Sequence, residues 1–425
     1  MVLSHRTERR RGAHTMKLNH TAVAATILAL AAAQPALPQT AATPAPTPAA
    51  APPRPDPCAP SQYAKDDYFP TPAFPGQTRA PRPARTERFK VETFASGLER
   101  PIALAMLSDG AMLASSTSGL RRIDAAGKVS PPIAGGPAGL EAYDFALDRD
   151  FASNRTLYFI YRAPNPAEVV PEGRRPVGIG RVARARISAD WTRLEDVKTI
   201  FEGGYPRRIL QTPDGRLLVA TQDATGASAQ KLDQLAGKLL RINPDGSPAP
   251  GNAFARTAGA RPEIFTLGHR DPDGLTLDRT SGQVWLTEHG PRGGDELNRI
   301  KGGLNYGYPT ISYGRQYDGQ LIDGGRTAQP GLEQPVYFWD PDIAPSGLVV
   351  YRGAMFPAWK GDIFIASLVG KTLVRLQMKD GKVAGEEPVL SGRCERYRDI
   401  AQSPDGALYI LTDGPAASIL RLTRP

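Results

Sequence analysis

Glu288, His289, Arg292, Asp295 and Glu296 fall within nine positions, and Gly290, Gly293 and Gly294 lie among them. Glycines at this density, continued at Gly302, Gly303 and Gly307, let a backbone approach a bound group closely. Just upstream, Gly268-His269-Arg270-Asp271-Pro272-Asp273-Gly274 sets a histidine, a guanidinium and two carboxylates near a strand end. Far downstream, Arg396 and Arg398 flank Tyr397, so on a strand both point the same way. A histidine beside carboxylates can take and return a proton. A guanidinium can hold a carboxylate or stabilise developing negative charge. Carboxylates with backbone carbonyls suit calcium. Each group also has an ordinary reading: Arg396 and Arg398 as a salt-bridged rim, Asp295 and Glu296 as a turn closure, His269 as a packing residue.

The elements that must position these residues are short strands. A turn rich in Asp and Gly followed by an alternating strand recurs at 108–116, 154–162, 213–221, 281–289, 360–368 and 404–412. Each strand is five or six residues of β-branched, aromatic or leucine character after a turn signal. Six such units predict an all-β chain, a six-bladed β-propeller with its chemistry at strand ends around a central channel. The domain is expected from about Arg88 to the C-terminus, residues 88–425. Helical periodicity is weak; residues 229–242 (AQKLDQLAGKLLRI) are the best helix candidate and end as a strand. The segment 264–313 reads as two strands followed by a charged, glycine-rich loop.

Residues 264–309 resemble the signature of the PQQ-dependent glucose/sorbosone dehydrogenase family. The motif pieces are Gly268–Gly274, then Thr287–Asn298 (TEHGPRGGDELN), then Asn305-Tyr306-Gly307-Tyr308-Pro309. Residues 97–110, 145–161, 235–254, 340–353 and 396–413 are similar to further family stretches, so the resemblance spans nearly the whole domain. It implies a six-bladed propeller that binds pyrroloquinoline quinone (PQQ) and Ca2+ and oxidises a sugar (aldose) hydroxyl, passing electrons to a soluble acceptor. Carried over position by position, the carbonyls of Gly290 and Pro291 would hold the calcium. Arg396 and Arg398 would bind quinone carboxylates, Arg270 would polarise the reactive carbonyl, and Tyr337 would line the cofactor pocket. Asp342 stands where the family has threonine or serine, and Lys371 lies two positions from a family lysine. Asp295, Glu296 and Tyr306 resemble a second calcium site.

The resemblance breaks at the proton acceptor. The family histidine of the H-x-G-[GS]-R-L pattern falls on Gly204, within Gly203-Gly204-Tyr205-Pro206-Arg207-Arg208. Of the five histidines, only His269 and His289 lie beyond the leader. Asp271, His289, Tyr205 and Asp342 are the candidate replacements. A family glutamine is lost near Gly139, and Asp271 and Asp273 replace asparagine and glutamine. Three readings follow: a quinone-dependent sugar dehydrogenase, a non-catalytic carbohydrate- or cell-wall-binding propeller, and a metal-dependent lactonase-like hydrolase using Glu288, Asp271 and Asp342.

Composition narrows the setting. The net charge is +9, but Arg6, Arg9, Arg10, Arg11 and Lys17 sit in residues 1–33 with one acid, and the remaining bases are interspersed with acids. That distribution argues against a nucleic-acid partner. Residues 16–33 read as an export signal, a short basic start followed by an apolar stretch too short to span a bilayer. Residues 1–15 then precede a second possible start at Met16. Residues 34–87 are a Pro/Ala-rich linker and irregular segment. The expected location is therefore periplasmic or secreted. In an oxidising compartment Cys58 and Cys394 could pair, or stay two unrelated thiols.

Overall fold

Each of the six turn-plus-strand repeats is the second strand of one antiparallel sheet. The computed structural model describes residues 68–84, 86–137, 140–165 and 178–425. β1 (Lys90–Leu98) comes first. Blade one holds β2 (Pro101–Met106), β3 (Met112–Ser116) and β4 (Gly119–Ile123). Blade two holds β5 (Ala142–Leu147), β6 (Thr156–Ala163), β7 (Ile179–Ile187) and β8 (Leu194–Glu202), with the one-turn helix α1 (Phe151–Asn154) in its first turn. Blade three holds β9 (Pro206–Gln211), β10 (Leu217–Thr221), β11 (Lys238–Ile242) and β12 (Ile264–Leu267). Blade four holds β13 (Pro272–Leu277), β14 (Val284–Glu288), β15 (Asp295–Ile300) and β16 (Tyr337–Trp339). Blade five holds β17 (Pro345–Val350), β18 (Ile363–Ser367), β19 (Leu373–Lys379) and β20 (Lys382–Pro388). Blade six holds β21 (Tyr397–Gln402), β22 (Leu408–Thr412) and β23 (Ala417–Thr423), and β1 pairs with β23 as its outermost strand. The ring is thus closed by the start of the domain bonded to its end. Closure of this kind leaves only short, protected edges.

The second strands β3, β10, β18 and β22 are buried at every residue. They are sandwiched between neighbouring blades, which explains their continuous apolar character. The core between blades five and six is rich in aromatic rings: Trp359 packs 4.2 Å from Phe356 and 5.0 Å from Phe364, ring centre to ring centre.

The innermost strands β2, β5, β9, β13, β17 and β21 share a device. Each breaks register with its neighbour near its first residues, as between Ala142 and Asp144 or Tyr397 and Asp399. The same slip occurs in β2, β9, β13 and β17. A bulge re-aims the side chains around it. Four of these strands begin with proline, at Pro101, Pro206, Pro272 and Pro345. Proline suits the first residue of an edge strand, where no ladder donor is lost.

Two sequence expectations change. Residues 229–237 form turns, not a helix: the Lys238 ammonium donates to the carbonyls of Ser228, Ala229 and Ala236 at 2.8, 3.0 and 2.8 Å and curls the loop around itself. The charged stretch after β14 is only partly loop, because Asp295–Ile300 is β15, paired along β14. The irregular segment before β1 is anchored firmly. Gln77 is fully buried, donates to the Pro335 carbonyl at 2.9 Å and accepts from Tyr313 at 3.0 Å. Cys394 is disulfide-bonded; Cys58, the export signal and Gly139 lie outside the described residues. No described helix is long and apolar enough to cross a membrane.

Candidate active site at the mouth of the channel

The re-aimed ends of the inner strands converge on Asp273. Its carboxylate accepts from Arg207 at 3.0 Å and from Arg398 at 3.1 Å, with Ser346 at 3.4 Å. Its own backbone carbonyl accepts from Arg208 at 2.6 Å. Blades three, four, five and six are thus joined through one side chain. Burial alone would raise its pKa, but Arg207, Arg208 and Arg398 outweigh that and hold it below the usual carboxylate range.

Arg207 also faces Asp271 at 3.4 Å and lies over the Tyr143 ring at 4.7 Å. Neither the Arg207 Nε nor the Asp271 Oδ1 has a hydrogen-bond partner. On blade six, Arg396 and Arg398 point the same way and share Asp413, at 2.7 and 3.1 Å. Arg396 keeps 43% of its side chain exposed, whereas Arg398 keeps 17%.

Below the mouth runs a channel cavity of about 390 Å³ lined by the inner strands. Asp144 and Asp399 sit at matching positions of β5 and β21. Each accepts a backbone N–H from the next blade's inner strand, Ile209 and Leu104, both at 2.8 Å. Arg208 lies between the blades, 3.7 Å from Asp144. Burial pushes Asp144 up to about 7, against the pull of Arg208 and the Ile209 N–H. A carboxyl raised on folding favours the folded state while protonated. That contribution is complete below its unfolded pKa and is lost as pH rises through the folded one. Stability should therefore fall between about pH 4 and pH 7 from this group. Asp144→Asn should flatten that decline, read from urea midpoints at pH 4.5 and 7.5; an unchanged slope would assign it elsewhere.

On blade four, Glu288 at the end of β14 orders its neighbours. It accepts from His269 Nδ1 at 3.0 Å, from Asn298 at 2.8 Å and from the Arg270 N–H at 2.7 Å. His269 is wholly buried, stacked 4.7 Å from Tyr306, and acts as a packing residue. The Arg270 guanidinium donates to the His289 carbonyl at 2.9 Å, and its Nε has no partner. His289 Nε2 lies 2.8 Å from the Pro345 carbonyl. A carbonyl can only accept, so Nε2 carries a proton, and in the neutral ring Nδ1 keeps its lone pair. Nδ1 lies 3.8 Å from Asp271.

The structure brings together Arg270, Asp271, His289, Arg396 and Arg398, with Asp342 beside them. Asp342 is held above the usual carboxylate range by burial, opposed by the Gly293 N–H, His289 and Arg270, and its Oδ1 is buried without a partner. Gly290 lies in a tight turn, where an added Cβ would stand 2.0 Å from the Gly293 carbonyl. Lys371 sits in the β18–β19 turn with a left-handed φ of 50°.

Other assignments part from the geometry. Tyr337 is on the outermost strand of blade four, not in the mouth. Its hydroxyl accepts from Ala80 and donates to Glu386, both at 2.7 Å, so it clamps the segment preceding β1. Asp295, Glu296 and Tyr306 do not converge. Asp295 accepts from Gly290, Ile343 and Ala344 N–H groups, Glu296 accepts from Asn298, and the Tyr306 hydroxyl is spent on the Arg299 carbonyl and the Lys301 N–H. Successive residues of a strand face opposite sides, so Asp295 and Glu296 cannot share one ion there. Among the described residues no three His, Cys, Asp or Glu side chains form a metal-holding group.

Gly204 adopts φ +70°, and a Cβ there would lie 2.6 Å from the Leu235 carbonyl oxygen. The position is closed to any side chain. Tyr205 is exposed at 49% and also left-handed, at φ 53°. The residues that sequence reasoning passed over are Arg207, Arg208, Asp144, Asp399 and Asp413. A signal was present: AYDFAL, PRRILQ, PDGLTL and YRDIAQ each set a charge near the start of an otherwise apolar strand.

Residues 98–421 match the family described as Glucose / Sorbosone dehydrogenase, and the chain belongs to that family. It is 34% identical to the aldose sugar dehydrogenase YliI of Escherichia coli, over 78% of this chain and 92% of that protein. The apo-form crystal structure of the soluble aldose sugar dehydrogenase from Escherichia coli superposes with a TM-score of 0.73 at 32% identity, covering 80% of this chain and all of that one. The PQQ-bound aldose sugar dehydrogenase of Streptomyces coelicolor gives a TM-score of 0.62 at 28% identity, covering 80% of this chain and 99% of that one.

Proposed function

We propose that the chain is an exported sugar dehydrogenase that uses PQQ and calcium, oxidises an aldose hydroxyl and reduces a soluble acceptor, with His289 in the role of proton acceptor. The observation that carries this reading is a pair of buried polar atoms without partners close to His289: Arg270 Nε and Asp342 Oδ1. Buried polar atoms are normally satisfied, so two orphans beside one another suit an absent polar group. The residues present fit an anionic, planar cofactor. Arg270 and the half-exposed Arg396 offer guanidinium edges, and the Gly290–Gly294 turn offers carbonyls for a hard cation.

The quinone, when bound, supplies a two-electron acceptor. The protein's part is to hold and to move a proton. Arg270 is fixed by the His289 carbonyl and places positive charge beside the mouth. His289 is fixed by the Pro345 carbonyl, so its Nδ1 can take the hydroxyl proton, and Asp271 steadies the imidazolium that results. Titrating purified protein with PQQ and calcium and following dye reduction over a sugar panel tests the reading. A shifted quinone absorbance with turnover is expected; neither appearing would end it.

Closure of Gly204 and the arginine at position 207 favour a second reading, a propeller that binds carbohydrate without oxidising it. It predicts sugar binding in calorimetry and no dye reduction at saturating quinone.

A further inference from the structure

Arg162 stands apart from the other arginines of the mouth. It lies near the end of β6, its guanidinium 5.6 Å from the centre of the Tyr143 ring that Arg207 also covers. Arg207 has Asp271 and Asp273, and Arg398 has Asp273 and Asp413. Arg162 has no ion pair and no side-chain hydrogen bond among the described residues, and its buried Nη1 has no partner. Glu141 is exposed on the rim and bears on Arg162 only at a distance. Burial, then the charge of Arg207, push the Arg162 pKa down. A guanidinium withdrawn from water beside a second one is costly unless an anion joins it.

Tyr205 precedes Pro206, and the Pro206 ring and Arg162 Nη1 lie against the same side of Gly180. The Tyr205 ring is exposed, and its left-handed backbone is held by a bond of 3.0 Å from the Gln222 N–H to its carbonyl. The ring borders a pocket of about 470 Å³ that is also lined by Gln222, Thr225 and Ser228. That pocket adjoins the mouth, since the Asp223 N–H in its wall donates to the Arg270 carbonyl at 2.7 Å. An amphipathic ring with an amide and hydroxyls nearby suits a sugar's apolar face and hydroxyl rim.

We propose that Arg162 and Tyr205 form a subsite for a sugar bearing a carboxylate, so that the preferred substrate class is an acidic aldose of the uronic acid type. The inference deepens the dehydrogenase reading and rests on it for treating the mouth as the sugar site. Arg162 supplies a charge-assisted, two-pronged contact to the carboxylate. Arg396 and Arg398 are on blade six, three blades from Tyr205, and remain for the cofactor.

The test is calorimetric titration of the full chain, without added quinone, using D-glucuronate, D-glucose, acetate and inorganic phosphate. Glucuronate should bind at least about 10-fold tighter than glucose, the size expected of a hydrogen bond to a charged group. Arg162→Gln should abolish that preference and leave glucose binding unchanged, and Arg162→Lys should keep part of it. Tyr205→Ala should weaken both sugars alike. Equal affinity for glucuronate and glucose, a preference that survives Arg162→Gln, or acetate or phosphate binding as tightly as glucuronate would each overturn the proposal. Because no quinone is present, a failure of sugar oxidation would count against the dehydrogenase reading alone.

Discussion

Gly204→His should destabilise the protein and leave sugar oxidation no faster. The substitution rebuilds the family's histidine at its aligned position, so sequence logic alone expects a gain. The backbone forbids it. A left-handed φ costs a non-glycine residue about 1 kcal/mol or more. The new Cβ would also stand 2.6 Å from the Leu235 carbonyl oxygen and 3.0 Å from its carbon, both backbone atoms that cannot rotate aside. Together these effects should cost roughly 2–4 kcal/mol, the range of overpacking added to backbone strain. Urea unfolding measures it, and Gly204→Ala separates the causes: it should lose nearly as much, because the clash belongs to Cβ and not to the imidazole. A stable histidine variant with faster turnover would show that the turn can reopen.

The same turn explains what the sequence could and could not disclose. Six repeats marked six blades because each second strand is buried on both faces and must be written in apolar residues between turn signals. The start of the domain near Arg88 was legible, but the pairing of the mostly exposed β1 with β23 at the far end of the chain was not. The mouth was legible in part. His289, Arg270 and the Arg396–Arg398 pair stand in dense local motifs, and the fold gathers them. Asp273 was visible only as a departure from the family pattern, while its three arginine partners come from two other blades. No local spacing encodes such a junction; it exists because every inner strand bulges at the same height. Tyr337 was carried over from the resemblance alone, which does not tell that its strand is the outermost of blade four. Asp295 and Glu296 were likewise grouped by the resemblance, and on β15 their side chains face opposite sides.

His289→Gln should lower turnover by about 10²–10⁴-fold, the usual loss when a general base is removed. Glutamine is chosen because its amide can still donate to the Pro345 carbonyl that His289 Nε2 now meets at 2.8 Å. The Gly290 turn and the Arg270 contact to the residue-289 carbonyl are backbone features and should persist, so quinone binding should change little. The two readouts therefore divide: quinone affinity is retained while the chemical step is lost. Asp271→Asn makes the matching control. It keeps the shape beside Nδ1 and removes the charge that favours the imidazolium, so it should slow turnover less than loss of the histidine does. It also relieves Arg207 of one of its two carboxylates, at 3.4 Å. If turnover survives in His289→Gln and disappears in Asp271→Asn, the proton goes to the carboxylate and the histidine only positions it. If neither variant changes the rate, the acceptor lies outside blade four.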